Sequence, residues 1–122
     1  MITARKIMTK DVVSTRPSCT VEEVTRVLYF HNISGLPVVD QEQRVVGMAT
    51  EADILGRTTG QDTVQDIMSS PAVTVTEDAS LQEIAALLAE KKIKRVPVVR
   101  EEKLVGVVSR ADVVRALAST RH

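Results

Sequence analysis

Tryptophan is absent from the 122 residues, and Tyr29 and Phe30 are the only aromatic side chains. Stacking a base or sugar on an aromatic platform is therefore excluded as a binding mode. Cys19 is the single cysteine, so no intrachain disulfide can form. Glycine and proline are sparse, 5 and 4 residues, in a chain that is 43% hydrophobic and 26% charged, which excludes a low-complexity or disordered polymer. No apolar run approaches the roughly eighteen residues that span a bilayer, and the opening residues 1–7 lack the apolar core of a secretory signal. A cytoplasmic protein without a membrane segment is the expectation.

Charge of one sign is also missing. Lys plus Arg number 16 and Asp plus Glu number 16, with seven of each up to residue 60 and nine of each after it. A binder of phosphate backbones carries a basic surplus, so a nucleic-acid partner is not expected. Gly-x-Gly-x-x-Gly, Walker, Gly-x-Ser-x-Gly and HExxH patterns are all lacking, and no nucleophile stands beside a base. His31 and His122 are far apart with no further ligand at metal spacing, and Cys19 reads as an inert loop thiol. Neither an enzyme nor a metal site is expected.

What is present is an internal repeat. Sliding the chain by sixty residues sets Ile7-Met8 on Ile67-Met68, Val13 on Val73, Glu23 on Glu83, Leu28 on Leu88, and Ile33 to Val39 on Ile93 to Val99. After a one-residue deletion in the next turn, Val46 to Asp53 falls on Val105 to Asp112. The chain divides into a first copy over 1–60 (core about 7–56) and a second over 61–122 (core about 64–118), with residues 57–63 as a polar linker.

Each copy predicts the same order of elements. Val12 to Thr15 and Ala72 to Val75 are short β-branched runs and read as strands. Thr20-Val21-Glu22-Glu23 and Ser80-Leu81-Gln82-Glu83 are capping boxes that start helices, with apolar stripes at Val21, Val24 and Leu28 and at Leu81, Ile84 and Leu88. Leu36-Pro37-Val38-Val39 and Val96-Pro97-Val98-Val99 read as strands, each joined by a polar turn to a second apolar run in an antiparallel hairpin. A last helix begins at Thr50 and at Ser109. The unit is β-α-β-β-α, the fold class α+β, and two units of this size are expected to pack with pseudo-twofold symmetry. Phe30 points away from the buried stripe of its helix, and its counterpart is Glu90, which marks it as a candidate partner contact.

The paired Leu-Pro-Val-Val and Val-Pro-Val-Val strands, each followed by Gly-x-x-Thr/Ser-x-x-Asp and each preceded by an Ile-Met, resemble a tandem pair of CBS domains, the module named after cystathionine β-synthase. The resemblance covers Ile7 to about Leu117. It implies a disc-like module that commonly forms homodimers and binds an adenosine-containing ligand (AMP, ADP, ATP or S-adenosylmethionine) in clefts between repeats. Such a module acts on an unidentified target as a regulatory sensor and requires no cofactor. The alternative is a structural dimerisation or adapter module without ligand.

The resemblance also implies site residues. Asp53 and Asp112 would hold ribose, since a carboxylate accepts two hydroxyl hydrogen bonds at once, and Thr50 and Ser109 would contact phosphate. Asp112 and Ser109 would work with Val13, Ile33 and Ser34, and Asp53 and Thr50 with Val73, Ile93 and Lys94. The same Thr-x-x-Asp and Ser-x-x-Asp letters also spell helix capping boxes, and the two roles are compatible. Before the strand proline the first copy has Ser34-Gly35 and the second Lys94-Arg95. Arg95 offers a fork for phosphate oxygens that Gly35 cannot, unless these two basic residues are only solvated charges at a turn. The cleft with Arg95 is therefore expected to prefer phosphorylated adenosine, and the one built on Asp53 to bind more weakly or take an uncharged ligand.

Overall fold

The computed structural model describes residues 1–119, so His122 lies outside the described residues. In chain order the elements are α1 (Ala4–Ile7), α2 (Val21–His31), β1 (Gly35–Val39), β2 (Val45–Thr50), α3 (Glu51–Leu55), α4 (Val64–Ile67), β3 (Val75–Thr76), α5 (Leu81–Lys91), β4 (Arg95–Arg100), β5 (Lys103–Ser109) and α6 (Arg110–Ser119). The expected α+β class is what the chain adopts. None of these helices is long and apolar enough to cross a membrane. The chain forms two compact units, one of Val13–Ala72 and one of Met1–Val12 together with the chain from Val73 onward. The compact units and the sequence copies are thus different divisions of the chain.

The exchange of the opening segments has a backbone cause. Thr9 and Val107 donate to each other's carbonyls at 2.9 and 3.0 Å, and Ser69 and Met48 do the same at 2.9 and 3.0 Å. The residue after each Ile-Met therefore pairs with the second hairpin strand of the other copy. In these crossings Met8 lies on Gly106 and Met68 on Gly47. A Cβ on Gly106 would come within 2.5 Å of the Met8 sulfur, and one on Gly47 within 2.7 Å of the Ser69 carbonyl. Only glycine admits so close an approach.

In the Val13–Ala72 unit, α2 starts at Thr20, whose hydroxyl accepts from the Glu23 amide while the Glu23 carboxylate accepts from the Thr20 amide, both at 3.0 Å. Its buried face is Val21, Val24 and Leu28, as the spacing predicts, and it stops where Asn32 turns left-handed at φ 52. Strands β1 and β2 pair antiparallel, and every residue of β1 is buried. Val24, Leu28, Leu36, Val38, Ala49 and Val64 make the core. Each fully buried Val, Leu or Ile side chain contributes about 1.5–3 kcal/mol. Cys19 lies in the loop before α2, as the sequence predicts, and is partly buried against this core.

The strand expected over Val12–Thr15 is a single bridge, Thr15 to Val38. Thr15 donates to the Pro37 carbonyl at 3.0 Å and accepts from Val39 at 2.9 Å. Extending this parallel ladder backward requires an N–H from Pro37, and forward one from Pro17; proline has none. In the other unit β3 is parallel to β4. It begins only at Val75, because Pro97 blocks the earlier step, but it continues through Thr76, since Glu77 stands where Pro17 does.

The other unit repeats the plan. Ser80 and Glu83 form the capping box of α5, Leu81, Ile84 and Leu88 are its buried face, and Lys92 ends it in the left-handed conformation. Its sheet has the order β3-β4-β5, with β4 and β5 antiparallel around a turn in which Glu101 and Glu102 both have positive φ. Two short helices were not expected. α1 buries Ala4, and α4 buries Val64 behind Asp66, one oxygen of which accepts from the amides of Asp62 and Thr63, both at 3.0 Å.

Candidate ligand-binding site

The end of β2 and the start of α3 form one continuous turn of backbone. Thr50 is extended, at φ −124, and serves as the N-cap, while Asp53 sits in the first helical turn. The Asp53 Oδ2 accepts from the Thr50 amide and from the Thr50 hydroxyl, both at 2.9 Å, and the Asp53 amide donates to the Thr50 Oγ1 at 3.3 Å. These three bonds fix the side chains at a strand-to-helix junction. Among the described residues nothing else bonds the Asp53 carboxylate, so its Oδ1 is open to accept.

Ser109 and Asp112 reproduce the arrangement between β5 and α6. The Ser109 amide donates to Asp112 Oδ2 at 2.8 Å and the Asp112 amide to Ser109 Oγ at 3.2 Å. Here the second oxygen is engaged, because Arg115 donates to Asp112 Oδ1 at 3.2 Å. The Arg115 side chain is 73% exposed and that of Asp112 only 14%.

The remaining expected residues fall beside these junctions within their own units. The Ser34 carbonyl accepts from the Glu51 amide at 2.9 Å, and Ile33 and Val13 pack on the same core as Ile54. The Lys94 carbonyl accepts from the Arg110 amide at 2.9 Å, and the Ile93 carbonyl from Arg110 Nε at 2.9 Å. Ile93 and Val73 pack together on the other core. Strand register sets Gly35 opposite Thr50 and Arg95 opposite Ser109. Val13, Ile33, Ser34, Thr50 and Asp53 thus share one unit, and Val73, Ile93, Lys94, Arg95, Ser109 and Asp112 the other.

Two features escaped the sequence reading. Arg110 and Arg115 both belong to the second junction, and the signal for Arg115 was its i,i+3 spacing from Asp112. The charges around the junctions also differ in sign. Glu51, Asp53 and Arg57 stand at the first, whereas at the second Arg95 is opposite Ser109 in the register, the Lys94 carbonyl accepts from Arg110, and Arg115 pairs with Asp112.

A hairpin with its proline-bearing first strand, closed by a Thr/Ser-x-x-Asp helix start, is present twice and makes the chain a pair of like α+β repeats. The CBS domain model matches residues 4–59 and again 64–119, and the chain belongs to the CBS domain family. Inosine-5'-monophosphate dehydrogenase of Methanocaldococcus jannaschii is 33% identical over 113 residues, which are 92% of this chain but 23% of that enzyme. The chain spans about a quarter of that relative's length. Among solved structures, CBSX2 of Arabidopsis thaliana in complex with AMP superposes at a TM-score of 0.93, with 29% identity and full coverage of both chains. The CBS domain pair of protein MJ0100, in complex with 5'-methylthioadenosine and S-adenosylmethionine, superposes at 0.90 with 27% identity, covering 99% of each chain.

Proposed function

We propose that the chain is a regulatory module that binds an adenosine-containing ligand (AMP, ADP, ATP or S-adenosylmethionine) at the Thr50–Asp53 and Ser109–Asp112 junctions, with the carboxylates on the ribose hydroxyls and the hydroxyls toward phosphate. The observation that carries this reading is the Asp53 carboxylate, fixed through Oδ2 by Thr50 and open at Oδ1. A helix cap alone needs only one of the two oxygens. The AMP and S-adenosylmethionine bound by the two structural relatives support the ligand class. Arg95, opposite Ser109 in the strand register, provides a guanidinium for phosphate at the second junction. The module works as a cytoplasmic homodimer whose shape or partner affinity changes with ligand, which requires that the ligand bind one conformation better than another.

Thermal unfolding with AMP, ADP, ATP, adenosine and S-adenosylmethionine tests the reading. A ligand at about a hundred times its Kd stabilises by roughly 2.7 kcal/mol. A shift with one of these compounds that Asp112→Ala or Asp53→Ala removes is the expected result. No shift with any of them would replace the reading with that of an adapter module, for which the exposed Tyr29 and Phe30, 5.8 Å apart and edge to face, supply a contact surface.

A further inference from the structure

The two junctions are built alike up to the carboxylate and differ just beyond it. In the register that sets Asp53 on Asp112, Gly56 falls on Arg115. Gly56 ends α3, which is complete at Leu55, whereas α6 runs on to Ser119 and so carries Arg115 one turn past Asp112. The consequence is at a single atom. Oδ1 of Asp112 accepts from Arg115 at 3.2 Å, and Oδ1 of Asp53 has no partner among the described residues.

We infer that Arg115 is a specificity-determining residue: by occupying the Asp112 oxygen that a ribose diol needs and leaving a positive charge beside it, it makes the Ser109–Asp112 site select phosphorylated over uncharged adenosine, while the Thr50–Asp53 site keeps its oxygen for the uncharged nucleoside. The inference rests on the proposed adenosine binding and assigns a residue that reading does not use. Arg115 acts through Asp112 and is therefore a positioning residue.

A diol approaching Asp112 must compete with the guanidinium for Oδ1. An uncharged nucleoside gains nothing in return. A phosphorylated one brings anionic oxygens into a neighbourhood where Lys94, Arg95, Arg110 and Arg115 outnumber Asp112, so the same guanidinium favours it. At the first junction Glu51 and an uncompensated Asp53 repel phosphate and leave a diol unopposed. The size of the effect follows from exposure. An ion pair whose arginine is 73% exposed shifts an affinity by about three- to fivefold.

The test isolates each site in the full chain with Asp53→Asn or Asp112→Asn and titrates AMP and adenosine by calorimetry. In the Asp53→Asn chain, Arg115→Ala is expected to tighten adenosine about three- to fivefold without tightening AMP, and Arg115→Lys, which keeps the charge, to hold the AMP-to-adenosine ratio of the parent. In the Asp112→Asn chain, Gly56→Arg is expected to weaken adenosine by a similar factor. Gly56 has φ −89, open to any residue, and a Cβ there would meet only the Ala52 carbonyl at 3.3 Å. A ratio unmoved by Arg115→Ala, with binding intact, overturns the role of Arg115 and leaves the proposed function standing; absence of binding in the unsubstituted chain overturns both. Should Arg115→Ala not fold, Gly56→Arg decides alone, and unchanged adenosine affinity there overturns the inference.

Discussion

Arg100 grips Glu77 through both carboxylate oxygens, its Nε 2.7 Å from Oε1 and an Nη 2.8 Å from Oε2. Arg5 reaches the same carboxylate at 3.5 Å, so a buried acid at the end of β3 is held both by β4 and by the opening segment. The Arg100 hydrogen bonds, opposed by burial and aided by Arg5, lower the Glu77 pKa from 4.5 to about 2. The first copy has Pro17 and Asp40 in the equivalent places and no such clamp.

Because the folded pKa lies below the unfolded one, the stability from Glu77 is fully present above about pH 4.5 and is lost as the pH falls toward 2. Thermal melts from pH 6 to pH 2 are expected to show the midpoint falling more steeply below pH 4.5 in the natural chain than in Glu77→Gln. Parallel curves would assign the acid sensitivity to other carboxylates.

The carboxylates of the two junctions hold helix starts in addition to the ligand role proposed for them. Asp53→Ala removes the Thr50 amide's acceptor and is expected to cost the free protein about 1 kcal/mol, the usual value of a cap. Chemical denaturation without ligand measures this cost, which separates it from any loss of ligand-induced stabilisation.

Gly47 and Gly106 should respond differently to a partner change. Alanine at either position is expected to destabilise by about 1–3 kcal/mol through overpacking. At Gly106 the two nearest atoms belong to the Met8 side chain, so Met8→Ala should recover part of the loss; at Gly47 the nearest is the Ser69 carbonyl, 2.7 Å away, and Met68→Ala should recover little. Urea titration of the four single and two double variants checks both statements.

Phe30 is 78% exposed on α2. Phe30→Glu is expected to change the unfolding free energy by no more than about 0.5 kcal/mol and to lower self-association in sedimentation velocity. An unchanged sedimentation profile would remove Phe30 as a candidate for the proposed dimer contact.

Much of this fold was legible because its signals are local and redundant. Thr20 with Glu23, and Ser80 with Glu83, announced α2 and α5, and the paired Pro-Val-Val strands announced both hairpins. The short helices α1 and α4 were not legible, since four residues carry no periodicity. The length of the first strand of each copy depended on where Pro17, Pro37 and Pro97 withhold an N–H, which needs the register of a distant partner. The same holds for the site. Thr50, Asp53, Ser109 and Asp112 stood out as a repeated pattern, whereas Arg115 differs from Gly56 at a position where the copies no longer match. An i,i+3 acid–base pair is too common on helices to attract notice.

The pairing of Thr9 with Val107 bears on how the protein is made. Residues 13–72 lie on one uninterrupted stretch, in which Thr15 bonds Pro37 and Val39, Val21 bonds Asp62, and Met48 bonds Ser69. The other unit is split, and its first twelve residues leave the ribosome long before their partners at Glu77, Ala79 and Val107 exist. Biosynthesis therefore has a built-in order: residues 13–72 can close while the chain is growing, whereas residues 4–9 must wait, unpaired, until Val107 has been added.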